Sequence, residues 1–285
     1  MLKPLFKWTG GKRREIKIFS EYYPDIVNSD NYTFIEPFLG GGAVYWSLQA
    51  PNNIVNDVDP DITNFLQHLK DDPTRLKEEI DKVGIQLNLI SLSEKEGELS
   101  IGEAKELRGE YYYKWRNVDR EYRKLSDFER ACRFYIVNQL AFNGMRRFNK
   151  KGQFNVPYGN YKYLNFNLEQ QHLDLLDNTE IHNTDYKTII SDNDRDDVFI
   201  YLDPPYTRIF KEYQSDNVFG YEKQMELMGV FKSIKNAKVM LIINKDEFTT
   251  EIYKEYIKHE YALKYSTNIK NRYSQEVSHL VVCNY

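Results

Sequence analysis

A short apolar stretch that ends in a carboxylate and runs into consecutive glycines most constrains the fold of this chain. Residues 33–36 (Thr-Phe-Ile-Glu) have the composition of a buried strand. Glycines 40–42 follow before residues that can continue as a helix. A strand, a glycine turn and a helix in this order are typical of α/β proteins built on a central sheet.

Further strand patterns follow on both sides of a long central segment. They lie at residues 53–57, 180–183, 197–202 and 237–243, and a closing β-hairpin is predicted at 261–267 and 277–284. Helical spacing is found at residues 61–70, 168–176, 221–234 and 247–256. Because strands alternate with helices, we predict an α/β fold with a Rossmann-like sheet, interrupted by a second domain.

The central segment, residues 59–165, has a different pattern. Residues 74–90 and 102–124 are charged with apolar residues at helical spacing, and the polar stretch Leu92 to Gly102 between them predicts a loop. Ser126 and Glu129 predict a capping box before an apolar helix. We predict a discontinuous α/β domain, residues 1–58 and 166–285, interrupted by a mainly helical domain at 59–165.

The charge of the chain is unevenly distributed. The formal net charge is -4, which argues against a general nucleic-acid binder. However, residues 130–168 hold seven basic and no acidic side chains, and the first fourteen residues hold five basic and none acidic. A polyanion could therefore meet two basic segments on a chain that otherwise repels it.

Composition excludes several other classes. No apolar run is long enough to span a membrane, and the N-terminus lacks the apolar core of a secretion signal, so we expect a cytoplasmic protein. Cys132 and Cys283 are the only cysteines, and neither belongs to a motif with metal-ligand spacing. We therefore expect reduced thiols and no structural metal.

The glycine turn favours a cationic ligand over a dinucleotide. A dinucleotide site would require the spacing GxGxxG, whereas here the glycines are consecutive and Glu36 lies just before them. That carboxylate would repel a pyrophosphate but could pair with the ammonium and sulfonium of S-adenosylmethionine. Asp57, at the end of the next predicted strand, could accept hydrogen bonds from ribose hydroxyls. An ordinary tight turn stays open as the alternative for each motif.

The sharpest motif is Asp203-Pro204-Pro205-Tyr206, directly after the apolar strand 198–202. Two consecutive prolines fix φ and stiffen the loop, so that its carbonyl groups point in fixed directions. Asp203 and the Pro204 carbonyl could accept hydrogen bonds from a planar amine while Tyr206 stacks on its ring. The alternative is a rigid turn without a ligand.

Together with these motifs, others in a fixed order carry a family resemblance. They are Lys7-Trp8-Thr9-Gly10-Gly11-Lys12, the segment 34–42, Asn143-Gly144 with Arg147-Phe148-Asn149, the segment 154–159 (Phe-Asn-Val-Pro-Tyr-Gly) and Asp203-Pro204-Pro205-Tyr206. In them the chain resembles the Dam-type DNA adenine-N6 methyltransferases, class alpha of the D12 family. The resemblance spans essentially the whole chain and is weakest at 71–125, where no shared motif is found.

The resemblance implies a methyltransferase that uses S-adenosylmethionine and acts on an adenine flipped out of duplex DNA. Residues 1–58 and 166–285 would form the catalytic domain, and residues 59–165 the target-recognition domain with a hairpin near 143–158. The cofactor contacts carried over by position are Trp8, Lys12, Glu36, Phe38, Gly40, Asp57, Asp185 and Tyr186. The catalytic residues are Asp203, Pro204, Pro205 and Tyr206.

The resemblance also implies a set of DNA contacts in the basic segment, namely Asn143, Arg146, Arg147, Lys150, Lys151 and Pro157. Arg147 would read guanine, because a guanidinium can donate two hydrogen bonds to guanine O6 and N7. Arg146, Lys150 and Lys151 would mostly meet phosphates. A solvated surface charge is the alternative for each lysine. The match around 143–158 suggests GATC as the target sequence.

Several alternatives remain open at this point. One is an N-methyltransferase that acts on RNA or on protein glutamine, which usually has Asn in place of Asp203. Another is a non-catalytic DNA-binding relative, and a third, a nicotinamide-dependent oxidoreductase, is disfavoured by the missing GxGxxG. We expect a monomer or weak dimer of bacterial or viral origin. The sequence does not decide between a restriction–modification system and a solitary enzyme.

Overall fold

The structure of the chain is a computed structural model, which describes residues 1–118, 124–205, 220–264 and 276–285. The chain forms two compact units. Unit 1 comprises Met1–Gly11, Gly40–Ser47 and Asp59–Asn183, and unit 2 comprises Lys12–Leu39, Leu48–Val58 and Thr184–Tyr285.

A seven-stranded mixed sheet is the framework of the fold. Its strands are β1 (Thr33–Glu36), β2 (Asn52–Asn56), β3 (Thr179–His182), β4 (Val198–Leu202), β5 (Lys238–Asn244), β6 (Ile257–Lys264) and β7 (Glu276–Cys283), in the order β3-β2-β1-β4-β5-β7-β6. β1 is parallel to β2 and to β4, and β4 is parallel to β5. β7 is antiparallel to both β5 and β6.

Ten α-helices are found in the described residues. They are α1 (Ile16–Phe19), α2 (Ala43–Leu48), α3 (Pro60–Asp71), α4 (Pro73–Glu96), α5 (Ile101–Asn117), α6 (Asp127–Leu140), α7 (Gln170–Asp177), α8 (Tyr186–Ser191), α9 (Tyr221–Ser233) and α10 (Glu247–Tyr253). Within the described residues, no helix is both long and apolar enough to cross a membrane.

The central strands of unit 2 are buried along their whole length. Every residue of β1 and of β4 is buried, as expected for parallel strands covered on both faces. Ile35, Ile200 and Leu241 are fully buried in one apolar cluster of this unit. The residues that follow these strands are therefore held on a rigid support.

The α/β fold predicted from the sequence is confirmed, although some boundaries differ. The predicted loop from Leu92 to Gly102 is wrong at both ends, because α4 continues to Glu96 and α5 begins at Ile101. Gly97 caps the end of α4, and its φ of +81° favours glycine. β6 begins at Ile257 rather than at residue 261. Helix α8 was not predicted. Of the predicted helix at 102–124, residues 119–123 lie outside the described residues.

The predicted capping box at the start of α6 is confirmed. The Ser126 hydroxyl accepts a hydrogen bond from the Glu129 backbone N–H at 3.3 Å, and the Glu129 carboxylate accepts one from the Ser126 N–H at 2.9 Å. Each contact satisfies a backbone donor that the first turn of a helix leaves without an intrahelical partner.

We expect Ser126→Ala to lower the free energy of unfolding by about 1 kcal/mol, because it removes this acceptor at the start of α6. Urea denaturation would measure the change. Ser126→Asp is the matched variant, since aspartate also caps well and should retain the stability of the wild type. Equal losses in the two variants would contradict a capping role.

Candidate active site

Asp203 lies directly after the buried central strand β4. Its side chain is 20% exposed, so a ligand can reach the carboxylate from solvent. Pro204 is buried and Pro205 is exposed, and the two rings restrict the backbone that carries Asp203. Tyr206, the last residue of this predicted motif, lies outside the described residues.

Lys12 holds the Asp203 carboxylate. Its ammonium group lies 2.8 Å from Asp203 Oδ1, and the lysine side chain is only 3% exposed. Lys12 starts a short 3-10 turn, Lys12–Arg14, early in unit 2. The lysine contact orients the carboxylate, whose oxygens can accept further hydrogen bonds from a ligand.

Two further carboxylates follow the neighbouring strands of unit 2. Glu36 ends β1 and is 3% exposed, and Asp57 follows β2 and is 9% exposed. The parallel register aligns Glu36 with Val55, so Asp57 lies two residues beyond the aligned position. Because parallel strands end at one edge of a sheet, Glu36, Asp57 and Asp203 follow adjacent strands at the edge where α/β proteins bind ligands. The buried Glu36 and Asp57 can hold a cationic ligand, and the more exposed Asp203 can accept hydrogen bonds from a polar group.

Asn56 connects the segments around this edge, a role that the sequence analysis did not assign. Its amide donates to the carbonyl oxygens of Pro37 at 3.0 Å and Thr184 at 3.1 Å, and its Oδ1 accepts from the Thr184 N–H at 2.9 Å. Its own carbonyl accepts from the Leu39 N–H at 3.0 Å. The position of Asn56 next to Asp57 was the signal available in the sequence.

Asp185 and Tyr186 form the start of helix α8 in unit 2. Asp185 Oδ1 accepts from the Lys187 N–H at 2.9 Å and caps the helix. The ring of Tyr186 packs on Phe38, with ring centroids 4.9 Å apart. Burial raises the pKa of Tyr186 to about 12, so its hydroxyl is neutral at physiological pH. The structure therefore brings together two of the predicted cofactor residues, Phe38 and Tyr186.

In unit 1, the glycine turn packs against Trp8. A Cβ atom on Gly40 would lie 2.5 Å from Trp8 Nε1, and one on Gly41 would lie 2.7 Å from Trp8 Cβ. Gly40 also has φ of +49°, a backbone conformation that favours glycine. The indole of Trp8 therefore explains sterically why this turn consists of glycines.

The segment before Trp8 is tied to helix α6 of the same unit. The Lys7 N–H donates to Asn138 Oδ1 at 3.0 Å, and the Asn138 amide donates back to the Lys7 carbonyl at 2.8 Å. The Lys7 ammonium donates to the Gln139 carbonyl at 2.6 Å and lies 3.4 Å from the centre of the Tyr161 ring. Burial lowers the pKa of Lys7 to about 8.

The predicted hairpin region of unit 1 is an ordered loop closed by two antiparallel bridges, Ala141 with Tyr158 and Phe148 with Phe154. Arg147 is exposed, and its guanidinium is oriented by Asn155: Nε donates to Oδ1 at 2.8 Å and Nη2 donates to the carbonyl at 3.3 Å. A guanidinium fixed in this way presents its remaining donors in a defined direction.

Arg146 differs from Arg147 because it is engaged by carboxylates of its own unit. Its Nη2 lies 2.5 Å from Asp59 and 3.1 Å from Asp61, and its side chain is 16% exposed. Desolvation raises the pKa of Asp59 although Arg146 opposes that effect. The guanidinium also lies 5.4 Å from the centre of the Phe148 ring.

The other predicted DNA contacts lie on the surface of this loop. Asn143, Lys150, Lys151 and Pro157 are all exposed. Asn143 has φ of +53°, which is tolerated by asparagine, and the Pro157 carbonyl accepts from the Phe142 N–H at 3.0 Å. Within the described ranges, no group of three or more His, Cys, Asp or Glu could hold a metal ion.

The seven-stranded mixed sheet, with carboxylates after adjacent parallel strands, has a Rossmann-like arrangement. The family model of the D12 class N6 adenine-specific DNA methyltransferases matches residues 8–269. The chain therefore belongs to this family and is an adenine-specific DNA methyltransferase. Membership implies S-adenosylmethionine as the methyl donor and DNA as the substrate.

Relatives across bacteria and viruses support the same assignment. The chain is 31% identical to a type II methyltransferase, M.CviBI, of Paramecium bursaria Chlorella virus NC1A over the whole of both chains. It is 31% identical to the type II methyltransferase M1.LlaDCHI of Lactococcus lactis subsp. cremoris, covering all of this chain and 96% of the relative. It is 30% identical to the DNA adenine methylase of Haemophilus influenzae, covering 88% of this chain and 82% of the relative.

Replacement of Gly40 by alanine tests the packing of the glycine turn on Trp8. The left-handed backbone alone should cost about 1–2 kcal/mol, and the clash of the new methyl group with the indole should add to that loss. Gly97→Ala is the matched control, because Gly97 has φ of +81° but no atom within 4 Å of an added Cβ. Equal losses of unfolding free energy in urea would mean that Trp8 does not constrain the turn.

Proposed function

We propose that the edge formed by the carboxyl ends of β1, β2 and β4 is the active site, and that it methylates N6 of an adenine flipped out of duplex DNA. The observation that carries this proposal is the position of Asp203. A partly exposed carboxylate follows a fully buried central strand and is held at 2.8 Å by a buried lysine. The Asp203 carboxylate is therefore held in a fixed orientation and remains accessible to a substrate.

The chemistry at the base requires hydrogen-bond acceptors in fixed positions. Adenine N6 is a poor nucleophile because its lone pair is delocalised into the ring. Hydrogen bonds from the amino group to Asp203 and to the Pro204 carbonyl would favour a pyramidal nitrogen, whose lone pair is available for reaction. Tyr206, assigned from the sequence alone, would stack on the flipped base and replace part of the stacking lost in the duplex.

The described residues fit S-adenosylmethionine by their chemistry. When bound, this cofactor supplies a methyl group that is already activated on a sulfonium sulfur. Glu36 and Asp57 are buried carboxylates, which suit a ligand with positive charge and ribose hydroxyls but no phosphate. Phe38 and Tyr186 offer aromatic contact, and Asp185 can accept further hydrogen bonds beside its capping contact.

Trp8, Lys12 and Gly40 keep the cofactor role that the family resemblance implies. An ammonium group has three donors, so Lys12 can bind Asp203 and still donate to a ligand. Trp8 is held in place by the glycine turn and, through Lys7, by Asn138 of its own unit.

For the DNA, we assign base reading to the loop at 143–158 within a target-recognition domain at 59–165. Arg147 is exposed and oriented by Asn155, which supports a paired contact with guanine. Lys150 and Lys151 are exposed and suit phosphates, and Asn143 and Pro157 would border the flipped base. Arg146 could reach a phosphate only by exchanging Asp59 and Asp61 for it. The proposed target sequence is GATC.

Asp203→Asn should lower the methylation rate by at least about a hundredfold, because the amide removes the charged acceptor of the amino group. The affinity for S-adenosylmethionine should stay within about threefold, since the carboxylates assigned to the cofactor are unchanged. Single-turnover transfer of a labelled methyl group and direct binding of the cofactor measure the two quantities.

The matched control for this experiment is Asp197→Asn. Asp197 directly precedes β4, whereas Asp203 directly follows it, and its 51% exposed carboxylate forms a surface ion pair with Arg195. Loss of that pair should hardly change the rate. Normal turnover by Asp203→Asn would refute the catalytic assignment.

Two variants of the recognition loop separate base reading from phosphate binding. Arg147→Ala should cost about 1–3 kcal/mol of discrimination at one base pair and relax the sequence preference. Lys151→Ala should instead weaken binding to all sequences and reduce the salt slope by about one unit. Binding titrations on cognate and scrambled duplexes at several salt concentrations measure both effects. Equal losses of affinity on every duplex in both variants would contradict the assignment of Arg147 to base reading and of Lys151 to phosphate binding.

Methylation of a random-sequence duplex library, followed by mapping of the methylated adenines, tests the proposed target. Enrichment of GATC would support the assignment of the loop. Enrichment of another site would refute GATC while leaving adenine methylation intact, and in that case the Arg147→Ala experiment should use the mapped site.

A further inference from the structure

A buried polar cluster in unit 2 lies close in sequence to Lys12. Glu15 is 4% exposed and His279 is fully buried. Glu15 Oε2 accepts a hydrogen bond from the Tyr261 hydroxyl at 2.7 Å and another from His279 Nδ1 at 2.7 Å. Tyr261 of β6 and His279 of β7 are directly paired in the antiparallel register, so both donors come from one place on the terminal hairpin.

Glu15 is also the residue that closes the turn carrying Lys12. The Glu15 N–H donates to the Lys12 carbonyl at 2.7 Å, and the Glu15 carbonyl accepts from the Ile18 N–H at 2.8 Å as α1 begins. The side chain of Glu15 is thus fixed on the hairpin while its backbone is fixed to Lys12. Three residues earlier in the chain, the Lys12 ammonium contacts Asp203.

Stability alone is a poor explanation for a carboxylate at this position. Burial of a charged group is costly unless hydrogen bonds compensate it, and an apolar side chain would often be at least as stable. A satisfied buried network does, however, fix its members in one arrangement. Since Lys12 is buried beside Asp203, a small displacement of the turn would change their contact.

We infer that Glu15, held by Tyr261 and His279, is a positioning residue that places the Lys12 ammonium on the Asp203 carboxylate. The inference rests on the proposed function, in which Asp203 is catalytic. The hairpin formed by β6 and β7 thereby contributes to the active site through the N-terminal turn, without touching the substrate.

Replacement of Glu15 by leucine removes the acceptor of both hydrogen bonds with little change in size. The single-turnover methylation rate should fall at least about tenfold, because misplacement of a reacting group by a fraction of an ångström is costly. The affinity for S-adenosylmethionine should stay within about threefold. Glu15→Gln keeps an acceptor oxygen and should restore part of the rate. Glu21→Leu, at an exposed glutamate in the same N-terminal region, is the matched control.

A second measurement reports on Lys12 directly and needs no activity. In the wild type, Lys12 is 3% exposed and ion-paired, so an amine-acetylating reagent should label it slowly. In Glu15→Leu, labelling of Lys12, quantified by peptide mass spectrometry, should increase at least about threefold. Labelling of the exposed Lys17 should not change and serves as the internal control. Unchanged labelling of Lys12 would overturn the inference.

Asp203→Asn in the same assays separates the two proposals. If Asp203→Asn is inactive but folded Glu15→Leu keeps its rate within about twofold, the positioning role fails and the catalytic assignment stands. If Asp203→Asn is active, the proposed function fails. Should Glu15→Leu not fold, Tyr261→Phe decides, because it removes one donor and keeps the ring. A rate and Lys12 labelling equal to those of the wild type would overturn the inference.

Discussion

The ion pair between Lys12 and Asp203 is the interaction on which the candidate site depends. A lysine ammonium with 3% exposure is strongly disfavoured unless an opposite charge lies beside it, and Asp203 lies at 2.8 Å. The pair therefore ties the N-terminal turn of unit 2 to the end of its central strand.

The parallel strands of unit 2 explain how residues far apart in sequence meet at this edge. β1 lies between β2 and β4, so Glu36, Asp57 and Asp203 follow neighbouring strands although they span more than half of the chain. Asn56 fixes the segments that leave the edge, because it binds backbone groups of Pro37 and Thr184. This edge of the sheet is therefore ordered by the backbone contacts of Asn56 as well as by the ion pair between Lys12 and Asp203.

Residues in local patterns were predictable, and residues that act over long sequence distances were not. The strand at 33–36, the capping box at Ser126 and the strand before Asp203 follow from composition and spacing, and the structure has each of them. Glu15 could not be assigned, because its partners His279 and Tyr261 lie 264 and 246 residues away. Helix α8 was missed because its six residues are too few to show a helical period.

Many cations of the basic segment at 130–168 have electrostatic partners, which limits how many of them can bind a polyanion. Its charge predicted a segment that a polyanion could meet, but several of its cations have partners within unit 1. Arg146 binds Asp59 and Asp61, Lys162 binds Glu94 at 2.6 Å, and Arg133 donates to the backbone carbonyl of Arg116 at 2.8 Å. Arg147, Lys150 and Lys151 are exposed. A cation with a carboxylate partner must lose that partner to bind a phosphate. The proposed DNA contacts Arg147, Lys150 and Lys151 should therefore contribute more to the salt dependence of DNA binding than the other cations of the segment.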